Sequence, residues 1–294
     1  ATNILVLVHN NSSNAQIVAA DFCKKLVQAN IELCGPQTDI DLLKKHDLDI
    51  KVFTNSIKPN LCLVFGGDGS ILRAVEITRE KNIPVLGINL GHVGFLAEAE
   101  VEHLDDVIKS IIEKSWSEEE RLTLDFKVLR DNNIVFESFA LNDVSIEKDI
   151  PGHMFDVILE IDSQPVSRLW GDGIICATPT GSTAYAFSAG GPVIWPSVEA
   201  MVVVPISAHA LFAKPLVVSP DAKIAFEIPA DGSKGHLTAD GRRSFDLSPG
   251  MRIEIRQSAS RIRLARLDNT SFTKRLVNKF ELPVEGWRGK NKNK

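Results

Sequence analysis

Tyrosine is almost missing from this sequence: its 294 residues include a single one, Tyr185, beside 14 phenylalanines and 4 tryptophans. Cysteine is scarce as well. Cys23, Cys34, Cys62 and Cys176 lie far apart, with no CxxC spacing. That excludes a disulfide framework in a chain of this size and predicts buried, reduced thiols, as in a cytoplasmic protein. The 7 histidines do not cluster with the cysteines, so no zinc site is expected. No apolar run approaches the ~18 residues of a membrane span. Ala1-Thr2-Asn3 carries no basic region, and Ile4–Val8 reads as a first strand rather than as part of a signal segment. An excess of positive charge is also lacking. With 33 basic and 38 acidic residues, the net charge of −5 leaves no footprint for nucleic acid or a membrane surface.

What is present is the composition of a globular protein, 44% hydrophobic and 24% charged, long enough for two domains. Ile4–Val8, Leu61–Phe65 and Val85–Asn89 are short apolar runs of the kind buried on both faces of a parallel sheet. Between them, Ala15–Ala29, Ile40–Lys45 and Ser70–Lys81 carry helical spacing, and Ile31–Cys34 reads as another strand. Val101–Ser115 follows as an amphipathic helix. After Ser117 the period changes to two. Leu122–Val128, Ile134–Ile146, Phe155–Ile161, Val166–Trp170, Lys223–Ile228 and Met251–Arg256 read as strands separated by turn signals. The expected fold is therefore an α/β N-terminal domain with a Rossmann-like parallel sheet, residues 1–117, followed by an all-β sandwich, residues 118–270. A C-terminal helix over about 271–294 is expected to pack back on the first domain. The basic tail Gly289–Lys294 reads as a solvated end.

Five segments carry possible chemistry. Gly66-Gly67-Asp68-Gly69-Ser70 sits between a buried strand and a helix, where open α/β sheets bind ligands and where glycines bring backbone N–H groups close to phosphate. Asp68 is out of place in a pure phosphate cradle. It fits a base or a cation bridge, and equally a helix cap in a tight turn. Arg73, one turn on, is placed to face an anion. No G-x-x-x-x-G-K-[ST] occurs. Asn89-Leu90-Gly91-His92-Val93-Gly94-Phe95-Leu96 is a glycine loop in which Phe95 either covers a flat ring or belongs to the core. Gly171-Asp172-Gly173, then Thr178 through Pro192, is the densest segment. Its glycines and hydroxyls surround the single Tyr185, which favours a polar ligand with a flat ring. Asn142-Asp143 lies in an extended apolar stretch, and Asp240-Gly241-Arg242 reads alone as a charged turn.

In this order the segments resemble the NAD kinase family. The Gly-Gly-Asp-Gly turn alone is shared with lipid kinases and phosphofructokinases; the Thr-Pro-Thr-Gly-Ser-Thr-Ala-Tyr run makes the likeness specific. Leu264-Ala265-Arg266-Leu267 and Gly286-Trp287-Arg288-Gly289 are similar to the actinobacterial branch. The resemblance implies phosphorylation of the 2′-hydroxyl of the adenosine ribose of NAD to NADP, with ATP or inorganic polyphosphate as donor. It further implies Mg²⁺ as the divalent cation brought by the donor, a cleft between the two domains, and a homo-oligomer, dimer or tetramer. It assigns Asp68 as general base. It places Gly69, Arg73, Phe95, Asn142, Asp143, His153, Asp172, Thr183, Ala184, Tyr185, Ser188 and Asp240 at the nucleotides. Ser70 stands where many members have threonine, Asp143 where glutamate is usual, and Trp170 where some have arginine. A lipid or sugar kinase of the same superfamily and a non-catalytic dinucleotide sensor are the competing readings. The polar stretch Thr178–Ser188 argues against a lipid pocket, and an intact Asp68 against a sensor.

Overall fold

The computed structural model describes residues 3–90, 94–97, 99–100, 104–149, 154–210, 213–267 and 271–284. The chain begins with β1 (Asn3–Val8), α1 (Ser13–Gln28), β2 (Glu32–Gly35), α2 (Gln37–Lys44), β3 (Lys51–Val52), β4 (Leu61–Phe65), α3 (Asp68–Thr78), β5 (Val85–Asn89), β6 (Ala99–Glu100), α4 (Leu104–Glu113) and β7 (Ser117–Arg121). The next strands are β8 (Leu124–Arg130), β9 (Asn133–Ala140), β10 (Asp143–Lys148), β11 (Phe155–Ile161), β12 (Gln164–Gly171) and β13 (Gly173–Ala177). The short helix α5 (Tyr185–Ser188) precedes β14 (Met201–Ile206), β15 (Leu216–Val218), β16 (Ile224–Glu227), β17 (Gly235–Ala239), β18 (Arg243–Leu247) and β19 (Arg252–Gln257). The chain closes with β20 (Ile262–Arg266) and α6 (Phe272–Phe280). It divides into two units, residues 1–120 with 262–294, and residues 121–261.

In the first unit one sheet runs β3-β2-β1-β4-β5-β20-β7, with β6 on β5. The pairs β1–β2, β1–β4 and β4–β5 are parallel. β1 and β4 are buried along nearly their whole length, which is why both read as unbroken apolar runs. Their side chains share a core with Ala19, Phe22, Cys23 and Leu26 of α1 and Ile111 of α4. The helix α1 starts where the Ser12 side chain accepts the Ala15 N–H, satisfying one of its free donors. Sequence periodicity assigned residues 118–270 to one sandwich. Ser117–Arg121 and Ile262–Arg266 instead complete the first unit's sheet, and Leu264 registers against Val85. Ile262–Arg266, buried at four of its five positions, has no period to distinguish the two sheets, and the mostly exposed, charged Ser117–Arg121 carries no apolar alternation.

The second unit holds two six-stranded sheets, β12-β11-β16-β19-β8-β9 and β15-β14-β13-β10-β17-β18. Adjacent strands in both sheets are antiparallel. One core lies between them, including Phe126, Phe155, Phe226, Val144, Ile146 and Leu237. The single extended segment expected over 134–146 is two strands in different sheets. The chain changes sheet at Leu141-Asn142, where both backbone N–H groups are taken by the Asp240 carboxylate at 2.9 and 2.6 Å.

The C-terminal helix spans Phe272–Phe280, opened by Ser271 capping the Lys274 N–H and ended at Glu281; residues 285–294 of the expected 271–294 lie outside the described residues. Within the first unit it packs on Phe95, whose ring centroid lies 5.6 Å from Phe272 and 5.8 Å from Phe280. His153, the loop residues Gly91-His92-Val93 and the tail Gly289–Lys294 lie outside the described residues.

Candidate active site

In the first unit, β4 delivers Gly66-Gly67 to the sheet's carboxyl end and α3 begins at once. Gly67 is the cap, and Asp68 is already the first helical residue. The Asp68 carboxylate therefore does not close its own helix. It reaches to the glycine loop after β5, where Oδ2 accepts the Phe95 N–H at 3.0 Å and Oδ1 the Leu96 N–H at 3.1 Å. Each oxygen thus takes one backbone donor and keeps lone-pair capacity for another partner. Gly94 is required at its position. A Cβ there would sit 2.3 Å from Asp68 Oδ1. Gly66 adopts φ of 156°, a region that favours glycine, and a Cβ there would meet Ser70 Oγ at 2.4 Å.

Two residues expected to meet a ligand here are committed within the unit. Arg73 grips Asp39 with both terminal nitrogens, at 2.6 and 3.2 Å, and donates to the Val8 carbonyl at 2.8 Å. Asp39 is fully buried and also accepts the Val8 N–H at 2.7 Å. Arg73 is thus a pin between α3, α2 and the end of β1 rather than an arm free for an anion. Phe95 is buried with its ring against α6, so the ring belongs to the core and its backbone N–H serves Asp68.

In the second unit, the dense segment after β13 folds as a 3₁₀ turn, Gly181–Thr183, leading into α5. Much of its polarity is spent internally. The Thr178 hydroxyl donates to the Leu141 carbonyl at 2.5 Å and accepts the Gly181 N–H at 3.1 Å. Ser182 donates to the Pro179 carbonyl and accepts the Ile194 N–H. Thr180 accepts from Arg121 at 3.2 Å. All three hydroxyl residues are buried. Gly181 lies directly against the β9–β10 junction, where a Cβ would meet the Asn142 carbonyl oxygen at 1.9 Å. What remains accessible is the other side: Thr183, Ala184 and Tyr185 are half-buried and Ser188 is exposed.

The same face of β10 carries Asp143, Ser145 and Glu147, since alternate side chains share a face. Asp143 is buried, and desolvation, then the neighbouring Asp240 and Glu147 charges, push its carboxyl up to about 7. Asp240 serves the backbone rather than solvent. It accepts the N–H groups of Leu141, Asn142 and Asp143 and pairs with Arg243 at 2.7 Å. Asp172 projects between two glycines whose hydrogens face backbone, for a Cβ at Gly173 would come within 2.2 Å of the Ile146 carbonyl. Bonds from Lys148 and then Ser207 hold the Asp172 carboxyl below the usual carboxylate range. Glu147 and Lys148 were not among the residues the sequence motifs pointed to. They stand in an ordinary strand, and only the fold brings them to Tyr185 and Asp172.

Residues 4–116 match the ATP-NAD kinase N-terminal domain family and residues 141–267 the ATP-NAD kinase C-terminal domain family. An NAD kinase of Thermobifida fusca is 54% identical over 300 residues, spanning 98% of this chain and 91% of that protein. The chain belongs to the NAD kinase family. Its reaction is the phosphorylation of NAD to NADP. An NAD kinase of Mycobacterium leprae is 53% identical over 230 residues, 78% of this chain and 74% of that one. Among solved structures, yeast NADH kinase complexed with NADH shares the fold at a TM-score of 0.87 and 22% identity, covering 96% of this chain and 88% of that one. An Archaeoglobus fulgidus NAD kinase in complex with ATP matches at a TM-score of 0.66 and 27% identity, over 95% and 98% of the two chains.

Proposed function

We propose that this NAD kinase transfers the γ-phosphoryl group of ATP to the 2′-hydroxyl of the adenosine ribose of NAD, with Asp68 as general base. A ribose hydroxyl is a weak nucleophile at neutral pH. A carboxylate within hydrogen-bond reach takes its proton as the new O–P bond forms and the bond to the ADP leaving group breaks. The observation that carries this role is the anchoring of both Asp68 oxygens by the Phe95 and Leu96 N–H groups, which fixes the carboxylate while leaving lone pairs open. Gly69 lies in the same first turn of α3, whose N–H groups suit phosphate. Asn142, Asp143, Asp172, Thr183, Ala184, Tyr185 and Ser188 are the proposed dinucleotide contacts. The accessible side of the segment before and within α5 supports the last four.

Among the described residues no cluster of three or more His, Cys, Asp or Glu is built to hold a metal ion. Mg²⁺ is the divalent cation expected with the donor, where it would neutralise phosphate charge, with Asp68 the carboxylate placed to face it. We infer a cytoplasmic homo-oligomer, a dimer or tetramer. No helix among the described residues is long and apolar enough to cross a membrane. Val166, Trp170 and Val217 leave apolar surface exposed in the second unit, which suits contact between copies. Light scattering gives the mass directly.

The catalytic test is NADP formation from NAD, ATP and Mg²⁺, repeated with inorganic polyphosphate as donor. Asp68→Asn should lose most of kcat while its Kd for NAD stays within about twofold. Turnover at the wild-type rate in that variant removes Asp68 as the base.

A further inference from the structure

β10 ends on two charged residues, Glu147 and Lys148, whose side chains leave a strand on opposite faces. Each ends on a residue proposed to meet the dinucleotide. Glu147 Oε2 accepts the Tyr185 hydroxyl at 3.0 Å. Lys148 Nζ lies 2.5 Å from Asp172 Oδ1, and its backbone N–H donates to the Asp172 carbonyl at 3.0 Å.

Tyr185 needs such an anchor. It opens a helix of only four residues, in which Ala186 alone is buried. Packing against the apolar cluster that includes Ile175 and Ala177 leaves Tyr185 only partly buried, and the bond from its hydroxyl to Glu147 adds a second constraint on the ring. We propose that Glu147 is a positioning residue for the dinucleotide, fixing the direction in which the Tyr185 ring points through its hydroxyl before the ligand arrives. With the ring packed on the cluster and its hydroxyl bonded, rotamer freedom that binding would otherwise remove is already lost. The phenol stays protonated to play this part. Burial, then the bond to Glu147, push it up to about 12, so the hydroxyl remains the donor at neutral pH. Lys148 acts in parallel on Asp172, so the end of β10 holds two loops that are separate in sequence.

This inference rests on the reading that Tyr185 contacts NAD, and the experiment separates the two. Because Tyr185 is the single tyrosine, 3-fluorotyrosine incorporation gives one ¹⁹F resonance for it. Glu147→Ala should shift that resonance in the ligand-free protein and raise KM for NAD about tenfold, with kcat changed less than twofold. Glu147→Gln keeps an acceptor and should restore most of the affinity. Tyr185→Phe should match Glu147→Ala, and the double variant should be no worse than either, since they remove one contact. An unmoved resonance in Glu147→Ala overturns the inference. It does so even if Tyr185→Ala still weakens NAD binding, which leaves the dinucleotide reading standing. A moved resonance with unchanged KM in both Glu147→Ala and Tyr185→Ala overturns the inference through the reading beneath it.

Discussion

Gly94→Ala is a sharp test of the Asp68 geometry because it adds one carbon and nothing else. Gly94 is not in the left-handed region, so an alanine meets no backbone penalty there. The added Cβ would stand 2.3 Å from Asp68 Oδ1, 2.8 Å from Cγ and 3.0 Å from Oδ2. Non-bonded heavy atoms do not approach a Cβ closer than 3.0 Å, so the carboxylate must retreat by at least 3.0 − 2.3 = 0.7 Å. That retreat stretches its bonds to the Phe95 and Leu96 N–H groups, now 3.0 and 3.1 Å, toward the limit of useful hydrogen bonding. A reacting group displaced by ~1 Å costs up to ~10²-fold in rate, or ~2.7 kcal/mol of transition-state stabilisation. Coupling NADP formation to an NADP-specific dehydrogenase reads kcat directly. Gly94→Ala should lower kcat about a hundredfold with KM for NAD little changed, because the residues proposed to hold NAD lie in other segments. A kcat within threefold of wild type would refute the argument that the Phe95-Leu96 backbone fixes the base. A collapse of the circular dichroism spectrum would make the contact a folding requirement instead, and Gly94→Ser should then fail in the same way.

The Arg73–Asp39 pair predicts that Arg73→Ala acts on stability rather than on phosphate binding. It strands a buried carboxylate, at a cost of about 3–5 kcal/mol. Hydrogen exchange over residues 37–44 should accelerate, and a KM effect for ATP without that acceleration would return Arg73 to the ligand. Asp143 predicts a pH dependence of stability. Its carboxyl is pushed up to about 7 in the folded chain, so the folded state holds a proton that the unfolded state has released above the usual carboxylate range. The stabilisation present in acid is therefore lost at ~1.4 kcal/mol per pH unit as pH rises from ~4 toward 7, and stays lost above it. Asp143→Asn should remove that slope and be the more stable protein at pH 8, by urea denaturation of the second unit. Equal slopes in both proteins would contradict it.

Much of the architecture was legible because burial leaves a periodic mark. β1, β4 and β5 are near-continuous apolar runs, and their boundaries can be read to within a residue. The strands that escaped notice escaped for physical reasons. β17, Gly235–Ala239, is interrupted by glycine and histidine because Gly235 must admit the Phe155 ring, 2.7 Å from where its Cβ would be. β20 is short and buried on nearly all sides, so nothing in its pattern assigns it to the first sheet rather than the second. The break between β9 and β10 depends on Asp240, roughly a hundred positions along the chain, and no local signal announces a carboxylate arriving from that distance.

The candidate site teaches a different lesson about what a motif measures. Thr178, Thr180, Gly181 and Ser182 look like ligand donors in the sequence, yet Thr178, Gly181 and Ser182 close the turn onto Leu141, Asn142, Thr178, Pro179 and Ile194, and the Thr180 hydroxyl accepts from Arg121. Phe95, Asp240 and Arg73 are likewise bound up within their own units. A dense run of glycine and small hydroxyls therefore marks backbone that must fold closely, and only one side of it is left to touch anything else. Here that side carries Thr183, Ala184, Tyr185 and Ser188. The residues that hold it from beneath, Glu147 and Lys148, carry no motif, because a hydrogen-bond acceptor or an ammonium at the end of a strand is common in any sheet. Recognising a ligand-facing residue from sequence requires knowing which polar atoms the fold has already consumed, and that is settled only when the tertiary partners are in place.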